Sequence, residues 1–256
     1  MTDRSIPFTG IQNCRTLGGL PTSDGHTVAD GRLYRAAYLA EAADSDLERL
    51  GGELHVSLIV DLRTSREAAR KPDRAVPGAR ALHLPVFDER KEGVSHEEDT
   101  EPGPPGEMPP MEEVYRFMVS DEGCRANLGR ALRAIMEHVS SGDTALWHCT
   151  EGKDRCGLVS AFLLSALGVE RSLIREDYLL TNRVNGPKAD RIRAELIDQG
   201  KTPAEADRIH ELVLAKESYF DAAFAVVDER GVDAFLREAL AIPEDTLRAF
   251  RAAALH

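Results

Sequence analysis

The sequence predicts an α/β fold: a mostly parallel central sheet flanked by helices, with a helical C-terminal cover. Three observations predict it. Residues 54–62 (LHVSLIVDL) form an apolar, β-branched run long enough for a strand buried on both faces, followed at once by the helix-like residues 65–70. Residues 144–148 read as another strand, which passes through a tight loop into residues 158–167, a run so apolar that it makes a buried central helix. After Gly168, placed as a helix C-cap, the chain is predominantly helical. Strands and helices alternating in this way build layered α/β domains.

The other elements follow in chain order. Residues 31–35 (GRLYR) look extended, and residues 42–50 suit a short helix stopped by Gly51 and Gly52. Residues 81–87 are a further strand, with Pro85 marking an edge or an end. From residue 88 to 110 the composition changes: eight acids lie between Asp88 and Glu107, and five prolines between Pro102 and Pro110. That is the composition of a mobile acidic surface loop, and such a loop can act as a flap. Helical periodicity returns over residues 111–119 and again over 125–139, where Leu128, Leu132, Ile135, Met136 and Val139 repeat at three and four. A long helix opens at Thr202-Pro203-Ala204-Glu205, a capping box with proline in the first helical position. Its apolar stripe runs through Ile209, Leu212, Val213, Phe220, Ala223, Phe224 and Val227. With neither a repeat nor a firm linker, residues 1–256 read as a single domain, with residues 185–230 as a candidate helical lid.

Composition narrows the function. At 42% hydrophobic and 30% charged residues the chain can bury one large core. A net charge of -12 without a Lys/Arg cluster argues against nucleic-acid binding. No apolar run is long enough for a transmembrane segment and the start lacks a secretory signal, so a cytoplasmic address is the default expectation, although other export routes leave no such mark. The cysteines Cys14, Cys124, Cys149 and Cys156 show neither a CxxC pair nor zinc spacing, and Cys14 and Cys124 read as packed thiols.

The chemistry concentrates in His148-Cys149-Thr150-Glu151-Gly152-Lys153-Asp154-Arg155-Cys156-Gly157. A strand, a loop and a helix start together build an anion site, because the first helical N–H groups are unsatisfied and the helix dipole is positive there. Gly152 gives the loop freedom to curl, and Gly157 lets the helix start close to its neighbours. Arg155 adds a bidentate fork suited to phosphate oxygens, and Lys153 a point charge. Cys149 faces that field, which favours a nucleophilic thiolate.

Five residues separate Cys149 from Arg155, and the loop, with Gly157 following, resembles that of the bacterial tyrosine and dual-specificity phosphatases of the PtpB type. Asn13-Cys14-Arg15, Gly31-Arg32-Leu33-Tyr34-Arg35, Asp61-Leu62-Arg63-Thr64-Ser65-Arg66-Glu67 and Asp177-Tyr178-Leu179-Leu180-Thr181-Asn182 resemble that family's segments in the same order. The resemblance implies hydrolysis of phosphomonoesters through a phosphocysteine on Cys149, without metal or cofactor. Implied substrates are phosphorylated protein, above all phosphotyrosine, with phosphoserine, phosphothreonine and phosphoinositide lipids as further candidates, and the product is inorganic phosphate. Thr150, Glu151, Gly152, Lys153, Asp154 and Arg155 form the phosphate-binding loop. For the general acid the resemblance offers Asp88, at the end of Leu84-Pro85-Val86-Phe87-Asp88, with Asp154 as the rival that could instead position Arg155 or water.

His148 reads as a hydrogen-bonding support that tunes the thiolate, and Asp61 with Arg63 as a buried polar pair bracing the loops. Cys156 departs from the family, which usually carries Thr or Ser there. A thiol is the weaker donor, so the expectation is slower breakdown of the intermediate, or a protective disulfide with Cys149. A rhodanese-like sulfurtransferase and a non-catalytic phosphate-binding module are the rival readings.

Overall fold

A computed structural model describes residues 4–87 and 109–256. Five strands make one sheet: β1 (Arg15–Thr16), β2 (Leu33–Ala36), β3 (Val56–Asp61), β4 (Arg80–His83) and β5 (Thr144–His148), in the order β1-β2-β5-β3-β4. Only β1 is antiparallel; β2, β5, β3 and β4 run parallel. The central strand β5 is buried at every position, as its unbroken apolar run requires. Register sets the ends level: Ala36 and Asp61 both pair with His148, so the chain leaves β5 at Cys149 between the ends of β2 and β3. That carboxyl edge is where open α/β sheets bind ligands.

Helices cover both faces. On one side α3 (Met111–Ser120), α4 (Glu122–Ser140), α5 (Asp154–Ala166), α6 (Arg171–Leu179), α9 (Glu217–Asp228) and α11 (Glu244–Ala254) share a core. The fully buried Trp147 fastens β5 to α5 by donating its indole N–H to the Ser160 hydroxyl at 3.1 Å. On the other face, α1 (Asp44–Glu48) contributes Leu47 to a smaller cluster with Tyr34, Ile59 and Leu146. The capped α2 (Ser65–Arg70) follows β3, while α7 (Asn182–Asp198) and α8 (Pro203–Val213) lie against each other, and a short α10 (Val232–Ala234) precedes the C-terminal helix. Cys14 and Cys124 are buried and outside any disulfide, in keeping with the packed-thiol reading. Among the described residues, no helix is long and apolar enough to cross a membrane.

Two expectations need correction. Gly51 and Gly52 do not end the first helix, which widens into a π-helical turn over Arg49–Glu53, where a side chain at Gly51 would strike the Pro77 carbonyl. The long C-terminal helix is two helices, α8 and α9. Leu214 is extended, and the Asn182 side chain pairs with both the N–H and the carbonyl of Ala215, each at 2.8 Å, which satisfies the broken backbone. The consequence divides the stripe. Phe220, Phe224 and Val227 of α9 are buried, with Phe220 stacked on Phe224 at 4.4 Å between centroids, whereas Ile209 of α8 is 38% exposed. The α9 part of the 185–230 segment is therefore core, and only α7 and α8 are left as cover.

Candidate active site

Residues 149–153 join β5 to α5, and every carbonyl of this loop is engaged from outside. His148 Nδ1 lies 3.3 Å from the Cys149 carbonyl, and the Tyr38 N–H donates to the Thr150 carbonyl at 3.3 Å. Asn13 Nδ2 donates to the Glu151 carbonyl at 2.9 Å, Arg35 Nη2 to the Gly152 carbonyl at 2.7 Å, and the Gly157 N–H to the Lys153 carbonyl at 2.7 Å. A trans peptide points its N–H opposite its carbonyl, so the N–H groups of residues 150–154 turn to the inner side of the loop. There they add to the open first turn of α5, a cradle of backbone donors of the kind that can receive an anion. Gly152 is required: its φ is +65°, and a Cβ would sit 2.6 Å from the Ala36 carbonyl oxygen.

Cys149 opens this loop and Arg155 closes it, both buried. Glu67 of α2 holds Arg155, accepting from Nη1 and, at 2.8 Å, from Nη2, and it also takes the Thr150 hydroxyl at 2.5 Å. The Arg155 guanidinium lies over the Phe87 ring at 5.2 Å. Among the described residues its buried Nε–H has no hydrogen-bond partner, a donor left over for an anion. The expected easing of Cys149 ionisation meets an opponent. Burial pushes the thiol up to about 12, with Arg155 and the Cys156 N–H pulling the other way. The oriented loop N–H groups and the α5 dipole also act against burial, in favour of the thiolate. The Cys156 thiol itself turns to the Trp147 carbonyl at 3.6 Å.

The remaining loop side chains are not aimed at the cradle as the sequence suggests. Lys153 is fully buried and donates Nζ to the Leu212 and Val213 carbonyls at the end of α8, and Glu151 pairs with Lys188 of α7. These contacts tie the α7 and α8 pair to the loop and place the Lys153 ammonium at the end of α8. Asp154 accepts from the Tyr115 hydroxyl at 2.5 Å and lies 3.6 Å from Lys153. One of its oxygens thus receives a hydrogen bond, and the other faces the Lys153 ammonium. Asp88 and most of the 88–110 acidic segment lie outside the described residues.

Behind the loop stands a polar network to which Asp73, not singled out in the sequence, also belongs. Arg63 donates to Asp61 at 2.9 and 2.8 Å, as the bracing pair predicts, but also to Asp73 at 2.7 Å, and the buried His148 ring lies between these acids with Nε2 3.0 Å from Asp73. Burial alone would push the imidazole down, but Asp61 and Asp73 outweigh it and raise its pKa. Asp61, Asp73 and His148 have the spacing of metal ligands, yet Arg63 already brings a positive charge to both carboxylates. Glu67, Asn13, Arg35 and Asp177 were visible only as family-like residues without a role, and the structure shows Glu67 closing a capping box with Thr64 as well.

Comparison with known proteins gives the family. Residues 6–256 match the family described as the tyrosine phosphatase family. A Cupriavidus necator protein named as a tyrosine-protein phosphatase is 32% identical over 95% of this chain and 86% of its own length. The triple specificity protein phosphatase PtpB of Mycobacterium tuberculosis is 28% identical over 93% of this chain and 94% of its own. The solved structure of P. aeruginosa TpbA in complex with pTyr covers 85% of this chain and 91% of its own, at 18% identity and a TM-score of 0.42, too distant to carry an argument. An engaged Cys149 to Arg155 loop within a family match spanning nearly the whole sequence leads to one conclusion: the chain belongs to the tyrosine phosphatase family.

Proposed function

We propose that the protein hydrolyses phosphotyrosine through a phosphocysteine on Cys149. The observation that carries this reading is the one-sided array of loop N–H groups between Cys149 and an Arg155 whose Nε–H has no partner among the described residues. Three phosphoryl oxygens find donors there while the sulfur faces phosphorus. The thiolate forms an S–P bond as the P–O bond to the leaving group breaks, and the freed oxygen takes a proton. Water then attacks the phosphocysteine, which releases phosphate and restores the thiol. Asp88 is the proton donor in this proposal: Phe87, its neighbour in sequence, packs on Arg155, whereas Asp154 is occupied as an acceptor. α7 and α8 act as a lid, held by Lys153 and Glu151.

PtpB carries triple specificity in its name, which favours phosphoserine and phosphothreonine as additional substrates here. A phosphoinositide headgroup is a lesser candidate, since the Lys153 charge that would welcome it is held by α8 carbonyls. Release of phosphate from p-nitrophenyl phosphate and from phosphotyrosine, phosphoserine and phosphothreonine peptides tests the reading, with Cys149→Ser, Asp88→Asn and Asp154→Asn alongside. Loss of the alkaline limb of the pH profile is expected in Asp88→Asn only. Binding of phosphopeptide by the wild type with no hydrolysis over hours would instead support a non-catalytic module.

A further inference from the structure

Beneath the loop, on the side away from the cradle, lies a buried layer of guanidinium groups. Arg35, with no exposed surface, donates Nη2 to the Gly152 carbonyl at 2.7 Å and to the Lys153 carbonyl at 3.4 Å, while its Nη1 donates to Asp177 at 3.0 Å. Arg15 donates to the same Asp177 and to the Asn13 side-chain oxygen at 2.6 Å, which orients the Asn13 amide toward the Glu151 carbonyl. Arg4 also reaches Asp177, at 2.6 Å. Among the described residues, Asp177 is the one carboxylate in ion-pair contact with Arg15 and Arg35, so two buried positive charges share one negative charge even before Arg4 is counted. Burial, then the neighbouring Arg35, lowers Arg15 to about 10, whereas at Arg35 burial is outweighed by Cys156, Asp177 and Cys149, which raise it.

A cluster serving stability alone gains from neutrality, because an uncompensated buried charge is costly. An excess of positive charge directly under an anion-binding loop is different: it is useful only when an anion sits above. We propose that Arg35 is a positioning residue for phosphate binding, which pins the Gly152 and Lys153 carbonyls beneath the loop and lends the cradle the positive charge that Asp177 leaves uncompensated. The first effect follows from peptide geometry. With those carbonyls held below, the Lys153 and Asp154 N–H groups point up to the phosphoryl oxygens and need no reorganisation when substrate arrives. The second follows from low dielectric, in which a charge behind the loop acts on the phosphate and on the Cys149 sulfur with little screening. Gly157 fits the same arrangement, since a side chain there would meet the Tyr178 ring at 2.9 Å and the Arg35 Nη2 at 3.6 Å. The proposal deepens the phosphatase reading and rests on it.

The test separates position, charge and folding. Inorganic phosphate binding is measured by calorimetry in the Cys149→Ser background, which needs no turnover. Cys149 alkylation is measured in the native-cysteine protein as the ratio of rates with anionic iodoacetate and neutral iodoacetamide. The groups acting on that sulfur are Arg155, Cys156, Asp154 and Arg35. Arg35→Met is expected to weaken phosphate binding roughly 10- to 100-fold, as expected for loss of a charge-assisted contact, and to lower the alkylation ratio several-fold. Arg35→Lys keeps the charge but not the fork, so the ratio should persist while phosphate binding still weakens. A folded Arg35→Met with wild-type phosphate affinity and ratio would overturn the proposal. So would wild-type phosphate affinity in Arg35→Lys, which settles the matter if the methionine variant does not fold. Failure of the hydrolysis reading would show separately, as turnover by Cys149→Ser.

Discussion

Replacing Glu67 with Gln tests the hidden partner on which the phosphate grip depends. The Glu67 carboxylate receives, among other contacts, the Thr64 N–H, the Thr150 hydroxyl and both Arg155 Nη groups. Gln preserves the size of the side chain and one acceptor oxygen, but turns an NH2 toward two of those donors. One charge-assisted bond to Arg155 is lost whichever way the amide faces, worth about 1.5–3 kcal/mol. Arg155 then loses its fixed angle above Phe87, and the cost falls on the transition state, where the guanidinium meets the equatorial oxygens. The expected fall in kcat/KM is therefore about 10- to 100-fold, carried mainly by kcat. The Glu67 side chain is only 19% exposed, so solvent screening does little to soften the effect. Steady-state hydrolysis of a phosphotyrosine peptide measures it, with thermal unfolding as the companion. A variant whose melting point falls by several degrees while kcat/KM stays within about twofold of wild type would show that Glu67 is only a helix cap, and would refute the reasoning.

Gly152→Ala should cost several kcal/mol, about 1–3 from the left-handed backbone plus the clash with the Ala36 carbonyl, and should nearly abolish hydrolysis; thermal unfolding and kcat decide. Asp177 makes acid stability a test of the buried layer: Arg15, Arg35 and Arg4 overcome burial and hold its carboxyl at about 2 against an ordinary 3.8. A depressed pKa contributes stability that is complete above the unfolded value and lost as pH falls from about 4 toward 2, here ~2–3 kcal/mol, so urea unfolding across that window should show a loss that Asp177→Asn does not share. Cys156→Thr should speed breakdown of the intermediate, since the present thiol turns to Trp147 and a hydroxyl is the better donor, and burst kinetics would show a smaller burst with faster turnover.

How much of this could be read from sequence depended on how local the cause was. β3, β5 and α5 were legible because burial on all sides writes itself as unbroken apolar runs, and the Cys149 to Arg155 spacing was legible because one loop holds both ends. Glu67 was not, since a capping box with Thr64 accounts for it locally and its bond to Arg155 joins residues far apart in sequence. Asp73, Asn13, Arg35 and Asp177 were hidden in the same way: each acts only after the sheet brings β2, the end of β3 and α6 around one loop. The surroundings of Lys153 were hidden as well, since nothing local shows the α8 carbonyls that receive its ammonium. The break between α8 and α9 lacks glycine and proline, so periodicity ran straight through it. Its cause is the Asn182 side chain, supplied from α7.

The central claim is that Cys149 carries the phosphoryl group, and acid quenching of the enzyme during turnover of p-nitrophenyl phosphate, followed by mass spectrometry of its peptides, tests it most directly. The account predicts a phosphoryl adduct on Cys149 in the wild type, with neither adduct nor hydrolysis in Cys149→Ser. An adduct on another residue, or hydrolysis by Cys149→Ser at the wild-type rate, would contradict it.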